Sequence, residues 1–166
     1  MGLSRVTLVG TGLVLLVSSV PVASDVATDV VASVWTGVYT QAQARRGELI
    51  YPAICGRCHG YKLDGAPDDP DMFSTPPIAG PKFLRNWNGR SLAGLFEYTR
   101  TQMPQNNPGF MSDQEAVDVV TYMLLVGGIP AGSIELVPDI PALSAIVIDV
   151  PVEPGAALGA LDVGEQ

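Results

Sequence analysis

Two cysteines and one histidine lie together in the pentad Cys55-Gly56-Arg57-Cys58-His59. They are the only cysteine and histidine residues among the 166. Two thiols three positions apart on a helix can both bond to one edge of a flat ring system, and the next residue then lies beneath its centre. This C-x-x-C-H spacing is the attachment pattern of haem c. We therefore predict one haem c, joined covalently to Cys55 and Cys58, with His59 as an iron ligand.

Three other uses of these residues fit less well. A disulfide across two intervening residues closes a small strained ring, which is useful mainly in redox catalysis. A thioredoxin-like site needs a strand–helix–strand setting, and the sequence indicates helices and loops instead. A structural zinc ion needs four Cys or His ligands, and the chain has three such residues in total.

The second axial position of the iron cannot be filled by another histidine, because His59 is the only one, which leaves Met, Lys, a weaker group or no ligand at all. Met103 precedes Pro104, which favours an extended backbone, and it follows His59 by forty-four positions. That length of chain is sufficient to reach the opposite face of the haem. We predict Met103 as the ligand and Met111 as the alternative among the four candidates Met72, Met103, Met111 and Met123. A haem with both positions filled by His and Met is typical of electron transfer.

Helical patterns surround the pentad. One helix is predicted from about Gln41 to Ile54 and a shorter one from Ser91 to Arg100. A third begins with the capping box of Ser112 and Glu115 and ends at Gly127-Gly128. Long loops rich in Pro and Gly are predicted at 60–82 and 101–111.

The two ends of the chain differ from its middle. Residues 1–24 carry one positive charge, an uncharged run from Val6 to Val20 and then small residues, which is the pattern of a signal peptide. We expect export to the periplasm, with a retained membrane anchor as the alternative. The remaining segments are predicted as an N-terminal extension at 25–39, a haem domain at 40–128 and an acidic segment at 129–166. That last segment is read either as an extended wrap over the domain or as a solvated tail.

Charge is shared unevenly along the chain. Nine Lys and Arg stand against seventeen Asp and Glu, for a net charge of −8. A nucleic-acid binder needs a basic face, so this class is disfavoured. Residues 101–166 hold nine acidic and no basic side chains. This half favours a protein partner with a basic patch, bound less tightly as salt rises.

Beyond these patterns, the chain resembles the class I c-type cytochromes. The resemblance rests on Gly47, Tyr51, the C-x-x-C-H-Gly60 run, Met103-Pro104 and a last helix with Tyr122. It implies an all-α cytochrome c fold, with three to four helices and long loops wrapped around one covalently bound haem, plus an extended C-terminal tail. It also implies that the first and last helices cross with Gly47 against Tyr122.

The resemblance further implies a proline carbonyl that holds the imidazole of His59. We assign this role to Pro77, with Pro76 and Pro81 as neighbouring competitors. Trp87 and Arg90 are candidates to face the haem propionates, because an indole N–H and a guanidinium both suit carboxylates. The alternative is that Trp87 is a core residue and Arg90 a surface residue.

One branch of the family is closer than the others. The runs 34–40, 87–89 and 128–132 resemble small monohaem cytochromes associated with quinoprotein (PQQ-dependent) dehydrogenases. This branch implies a periplasmic carrier of single electrons, rather than an enzyme, between a dehydrogenase and a downstream cytochrome or oxidase. Two alternatives are a haem subunit fixed in a larger oxidoreductase and a haem sensor or enzyme with a labile Met ligand.

Overall fold

The computed structural model describes Gly2, residues 31–71 and residues 75–150. The predicted signal segment lies outside this range apart from Gly2, as do Met72 and the chain beyond residue 150. Among the described residues, no helix combines the length and the apolar character needed to cross a bilayer.

The first helix carries the C-x-x-C-H pentad at its far end. Helix α1 spans Gln41–Tyr51 and starts at Thr40, whose hydroxyl accepts from the Gln43 amide at 3.1 Å. The helical path as a whole runs past the predicted end at Ile54. The chain continues through a π-helical turn, Pro52–Gly56, into the short helix α2, Arg57–His59. Pro52 lacks the amide proton of a regular turn, so the hydrogen-bond pattern shifts there without ending the helix.

Three longer helices follow along the described chain. Helix α4 spans Leu92–Gln102 and helix α5 spans Asp113–Val126, which confirms both predicted helices to within two residues. The capping box of Ser112 and Glu115 is formed. Helix α3, Gly80–Trp87, lies mostly beyond the predicted loop 60–82 and was not foreseen. Its proline stands in the first turn, where no amide proton is required, so it does not oppose the helix.

Helices α1 and α5 cross at a glycine, as the resemblance implied. A Cβ on Gly47 would collide with the carbonyl oxygen of Asp118 and lie 3.0 Å from the Cβ of Tyr122. Tyr51 and Tyr122 pack edge to face with ring centres 5.5 Å apart. The absence of a side chain at position 47 therefore allows the two backbones to touch.

A small sheet joins the two ends of the described chain. Strand β3, Ile146–Ile148, lies between β1, Ala32–Ser33, which is parallel to it, and β2, Arg90–Ser91, which is antiparallel. The mostly helical fold is confirmed, but the all-α expectation omitted this sheet. Strands of two or three residues are too short to show an alternating pattern.

Residues 129–150 form what we call the C-terminal belt. It contains helix α6, Ile140–Ser144, as well as β3, so it is not wholly extended. Four of its apolar side chains are buried in the same core as α1, α4 and α5: Ile129, Leu136, Leu143 and Ile148. This part of the acidic segment is thus packed rather than solvated.

Candidate functional site

The two cysteines lie on consecutive turns of the helical segment that ends at His59. Both are free thiols, with Cys55 half-buried and Cys58 exposed. Burial, with a smaller contribution from Cys58, raises the pKa of the Cys55 thiol to about 11. Redox-active cysteines have lowered pKa values instead. Cys55 therefore suits covalent attachment of a cofactor better than thiol–disulfide exchange.

The imidazole of His59 is oriented by a backbone carbonyl. Its Nδ1 lies 3.1 Å from the carbonyl oxygen of Pro76. A carbonyl can only accept, so Nδ1 carries the proton and the lone pair of Nε2 is left for a metal. The assignment to Pro77 was therefore wrong by one residue.

The reason for Pro76 lies in how the loop is folded. The amide of Ile78 donates to the Leu63 carbonyl at 2.9 Å, and the amide of Gly65 donates to the His59 carbonyl at 2.8 Å. The first bond sets the register of the segment 75–78 against the turn that follows His59, and the second closes that turn. A tandem Pro-Pro sequence has no local signal for this register.

Thr75 is a contact that sequence reasoning missed. Its hydroxyl donates to the Cys58 carbonyl and lies 3.1 Å from His59 Nδ1. A threonine in a loop rich in Pro and Asp has no pattern that would single it out. Its position beside two candidate prolines was the only available hint.

Met103 ends helix α4 with the extended backbone that Pro104 favours (φ −116°, ψ 148°) and is half-buried. The other two described candidates, Met111 and Met123, are 4% and 3% exposed within the hydrophobic core. Pro104 borders a cavity of about 180 Å³ that is also lined by Ala53 and Ile54, next to Cys55. The loop after Met103 thus faces the C-x-x-C-H segment, and ligation by Met103 stays a prediction.

Trp87 and Arg90 contact each other. The guanidinium carbon of Arg90 lies 5.2 Å from the centre of the Trp87 ring, within the range of a cation–π interaction. The Trp87 ring is half-buried, with the Phe83 and Tyr98 ring centres at 6.1 and 6.3 Å, while Arg90 is exposed. Their predicted contact with haem propionates stays a prediction.

Taken as a donor set, these side chains fit a covalently attached haem. Cys55 and Cys58 offer two free thiols with the required spacing, and His59 offers an imidazole whose Nε2 is unprotonated. Met103 offers a thioether sulfur, the other common axial ligand of this cofactor.

Comparison with known proteins identifies the family. Residues 42–123 match the family described as cytochrome c oxidase, cbb3-type, subunit III. Two relatives are thiosulfate dehydrogenases, from Psychrobacter arcticus and Allochromatium vinosum, and each is 32% identical over 79 residues. The matches cover 46% and 47% of this chain but only 24% and 29% of those relatives.

A solved structure, the sulfane dehydrogenase SoxCD from Paracoccus pantotrophus, is also similar. The alignment has a TM-score of 0.41 at 13% identity and covers 93% of this chain and 81% of that one.

The comparisons confirm the prediction of a c-type cytochrome domain and, with it, of a haem c cofactor. Cys55 and Cys58 fit the C-x-x-C-H motif that binds this cofactor. The relatives named above are thiosulfate dehydrogenases, so the resemblance to the quinoprotein branch stays a prediction. Residues 42–123 of this chain belong to the c-type cytochrome family, as a domain similar to subunit III of cbb3-type cytochrome c oxidase.

Proposed function

We propose that the chain carries single electrons between a dehydrogenase and a downstream cytochrome or oxidase, with His59 and Met103 as the iron ligands. The observation that carries this proposal is the oriented imidazole of His59, whose protonated Nδ1 faces Pro76. Haem c supplies a reversible one-electron couple when bound.

The protein's own residues would limit the haem iron to electron transfer by occupying its coordination sites. Pro76 fixes the tautomer and the orientation of the His59 ring. Met103 would supply a thioether sulfur as the second iron ligand, which would leave no open site for a substrate. A thioether ligand also raises the reduction potential, as expected of a carrier.

The acidic side chains of the later part of the chain favour a redox partner with a basic surface. The exposed carboxylates of residues 101–150 that form no ion pair with a described basic side chain include Glu115 and Asp139. They attract a basic surface at long range and orient it before contact. Association is therefore expected to slow as ionic strength rises.

A second candidate is a haem domain within a larger oxidoreductase. The named relatives are thiosulfate dehydrogenases, and this chain spans about a quarter of their length. In that case the domain passes electrons to or from another part of the same assembly. Purification of the native protein with stoichiometric partners would favour this candidate over the free carrier.

We propose that the protein acts in the periplasm. The support is the predicted signal segment at 1–24 and the C-x-x-C-H motif of a covalently attached haem. Sequencing of the N-terminus of the exported protein tests this: a start near residue 25 supports a cleaved signal, and a cytoplasmic protein starting at Met1 contradicts it.

Stopped-flow reduction separates a carrier from an enzyme. The oxidised haem-loaded chain is mixed with thiosulfate alone, and separately with reduced dehydrogenases purified from the source organism. We expect no reduction by thiosulfate alone and rapid one-electron reduction by a dehydrogenase, slowing with added salt. Sustained turnover of thiosulfate by the isolated chain would contradict the carrier role.

A further inference from the structure

The hydroxyl of Thr75 lies between two groups of the C-x-x-C-H motif. It donates to the carbonyl of Cys58, so its single proton is directed away from the imidazole. A lone pair of Oγ1 therefore faces Nδ1 of His59 at 3.1 Å. The carbonyl of Pro76 lies at the same distance from that nitrogen.

The proton on Nδ1 thus has two acceptors. Three-centre hydrogen bonds of this kind, with one N–H shared between two oxygens, are common in proteins. We propose that Thr75 is a positioning residue for the proximal ligand: its hydroxyl is the second acceptor for the Nδ1–H of His59, holds the plane of the ring and lowers the reduction potential of the haem.

The surrounding backbone fixes Thr75 in this position. A Cβ on Gly65 would collide with the Thr75 carbonyl oxygen, so the two backbones are in direct contact. Gly65 has φ of +80°, a conformation that other residues rarely adopt. The backbone of Thr75 is therefore packed against the turn after His59, and its hydroxyl is held by the hydrogen bond to the Cys58 carbonyl.

Acceptors on the outer nitrogen change the ligand that the iron receives. A hydrogen bond from Nδ1–H makes Nε2 more basic, and a more basic ligand favours the ferric state. Two acceptors at a fixed angle also resist rotation of the ring. The inference rests on haem attachment at His59 and not on the carrier role, since neither effect depends on a redox partner.

The test compares Thr75→Val, which keeps the shape and removes the hydroxyl, with Thr75→Ser, which keeps the hydroxyl. Thr36→Val is the matched control, because the Thr36 hydroxyl donates to the Ser33 carbonyl away from the motif. Two quantities are measured on the haem-loaded protein: the reduction potential, and the exchange rate of the Nδ1 proton of His59 by NMR in the reduced state.

We expect Thr75→Val to raise the potential and to speed exchange of the Nδ1 proton about fivefold, the effect of losing one neutral hydrogen bond. Thr75→Ser and Thr36→Val should match the wild type in both. If Thr75→Val does not incorporate haem, Thr75→Ala provides the same comparison with a smaller side chain.

Wild-type potential and exchange in the hydroxyl-free variants would overturn the proposal, as would a serine variant that behaves like valine. Failure of the protein to exchange electrons with any dehydrogenase would count against the proposed function alone. It would leave both readouts at Thr75 unchanged.

Discussion

The sequence specifies the two crossing helices α1 and α5 in a different way from the C-terminal belt. Helices α1 and α5 have local patterns, and they meet at the single glycine Gly47. The belt depends on distant partners: the Ser33 hydroxyl donates to Asp149 across 116 positions. The local elements present the reactive side chains, whereas the distant contacts fasten the rest of the chain around them.

The belt reaches two places that matter for the site. Gln43 on α1 exchanges two hydrogen bonds with the backbone of Leu136, at 2.7 and 2.8 Å. The amide of Gly89 donates to the Ile148 carbonyl at 2.8 Å, and the amide of Val150 donates to the side chain of Asn88 at 3.0 Å. The belt thereby anchors both the first helix and the turn next to Trp87.

The largest loss of stability is expected from Gly47→Ala. The new methyl group collides with the Asp118 carbonyl, so α1 and α5 must separate along their crossing. We expect the free energy of unfolding to fall by about 4 kcal/mol. This loss exceeds that of an ordinary overpacked side chain, because the collision is with backbone atoms. Denaturant unfolding of the haem-loaded protein measures it.

Gly94→Ala is the matched control, since the nearest atoms to its Cβ are 3.9 and 4.0 Å away. It should be neutral or stabilise helix α4 by up to about 1 kcal/mol. Equal losses of unfolding free energy from Gly47→Ala and Gly94→Ala would contradict the requirement for a glycine at the helix crossing.

Leu143→Ala tests whether the belt is part of the core. This side chain is 0% exposed, and truncation leaves a cavity. A loss of about 3 kcal/mol is expected in the same unfolding experiment. Ile134→Ala, at a site 76% exposed on the same belt, should change stability by less than about 0.5 kcal/mol. A Leu143 variant as stable as the wild type would mean that the belt is dispensable.

Arg46 links the two regions. Its guanidinium contacts the buried carboxylate of Asp118 on α5 and the exposed carboxylate of Glu135 on the belt, both at 2.8 Å. Arg46→Met leaves Asp118 with Gln114 as its remaining side-chain partner, and we expect a loss of about 2 kcal/mol.

Arg45→Met serves as the control for Arg46. Its ion pair with Glu48 is exposed, so the change should cost less than about 0.5 kcal/mol. If the two arginine variants unfold at the same denaturant concentration, the ion pairs of Arg46 between the helices and the belt add nothing to the free energy of unfolding.

Ser112→Ala removes the hydroxyl of the capping box at the start of α5. The expected loss is about 1 kcal/mol. Thermal unfolding followed by the helical signal would detect it, and an unchanged midpoint would contradict the role of the cap.

The same cap predicts a pH dependence. Hydrogen bonds from the backbone amide and the hydroxyl of Ser112 lower the pKa of Glu115 below its ordinary value of 4.5. Because the folded-state pKa is lowered, this stabilisation is present above pH 4.5 and is lost as pH falls through the lower value. The stability difference between the wild type and Glu115→Gln should therefore shrink in acid. A difference that grows on acidification would reverse the sign and refute the cap.

The features that the sequence predicts are those set by local patterns, and the features it misses are those set by distant contacts. The motif, Met103 before Pro104 and the capping box at Ser112 are patterns within a few residues, and each local structure formed as predicted. The choice of Pro76 over Pro77 depends on the turn at Gly65, and the sheet depends on strands of two or three residues. These features arise from contacts between distant segments, which a single sequence does not display.

We propose that the haem iron is held by His59 and Met103, with no vacant position. Exposure of the reduced protein to carbon monoxide tests it, with the absorption spectrum and the reduction potential as readouts. We expect the wild type to resist the gas, and Met103→Ala to bind it readily and to have a lower potential with haem still attached. Rapid binding of carbon monoxide by the wild type, or an unchanged potential in the variant, would contradict the claim.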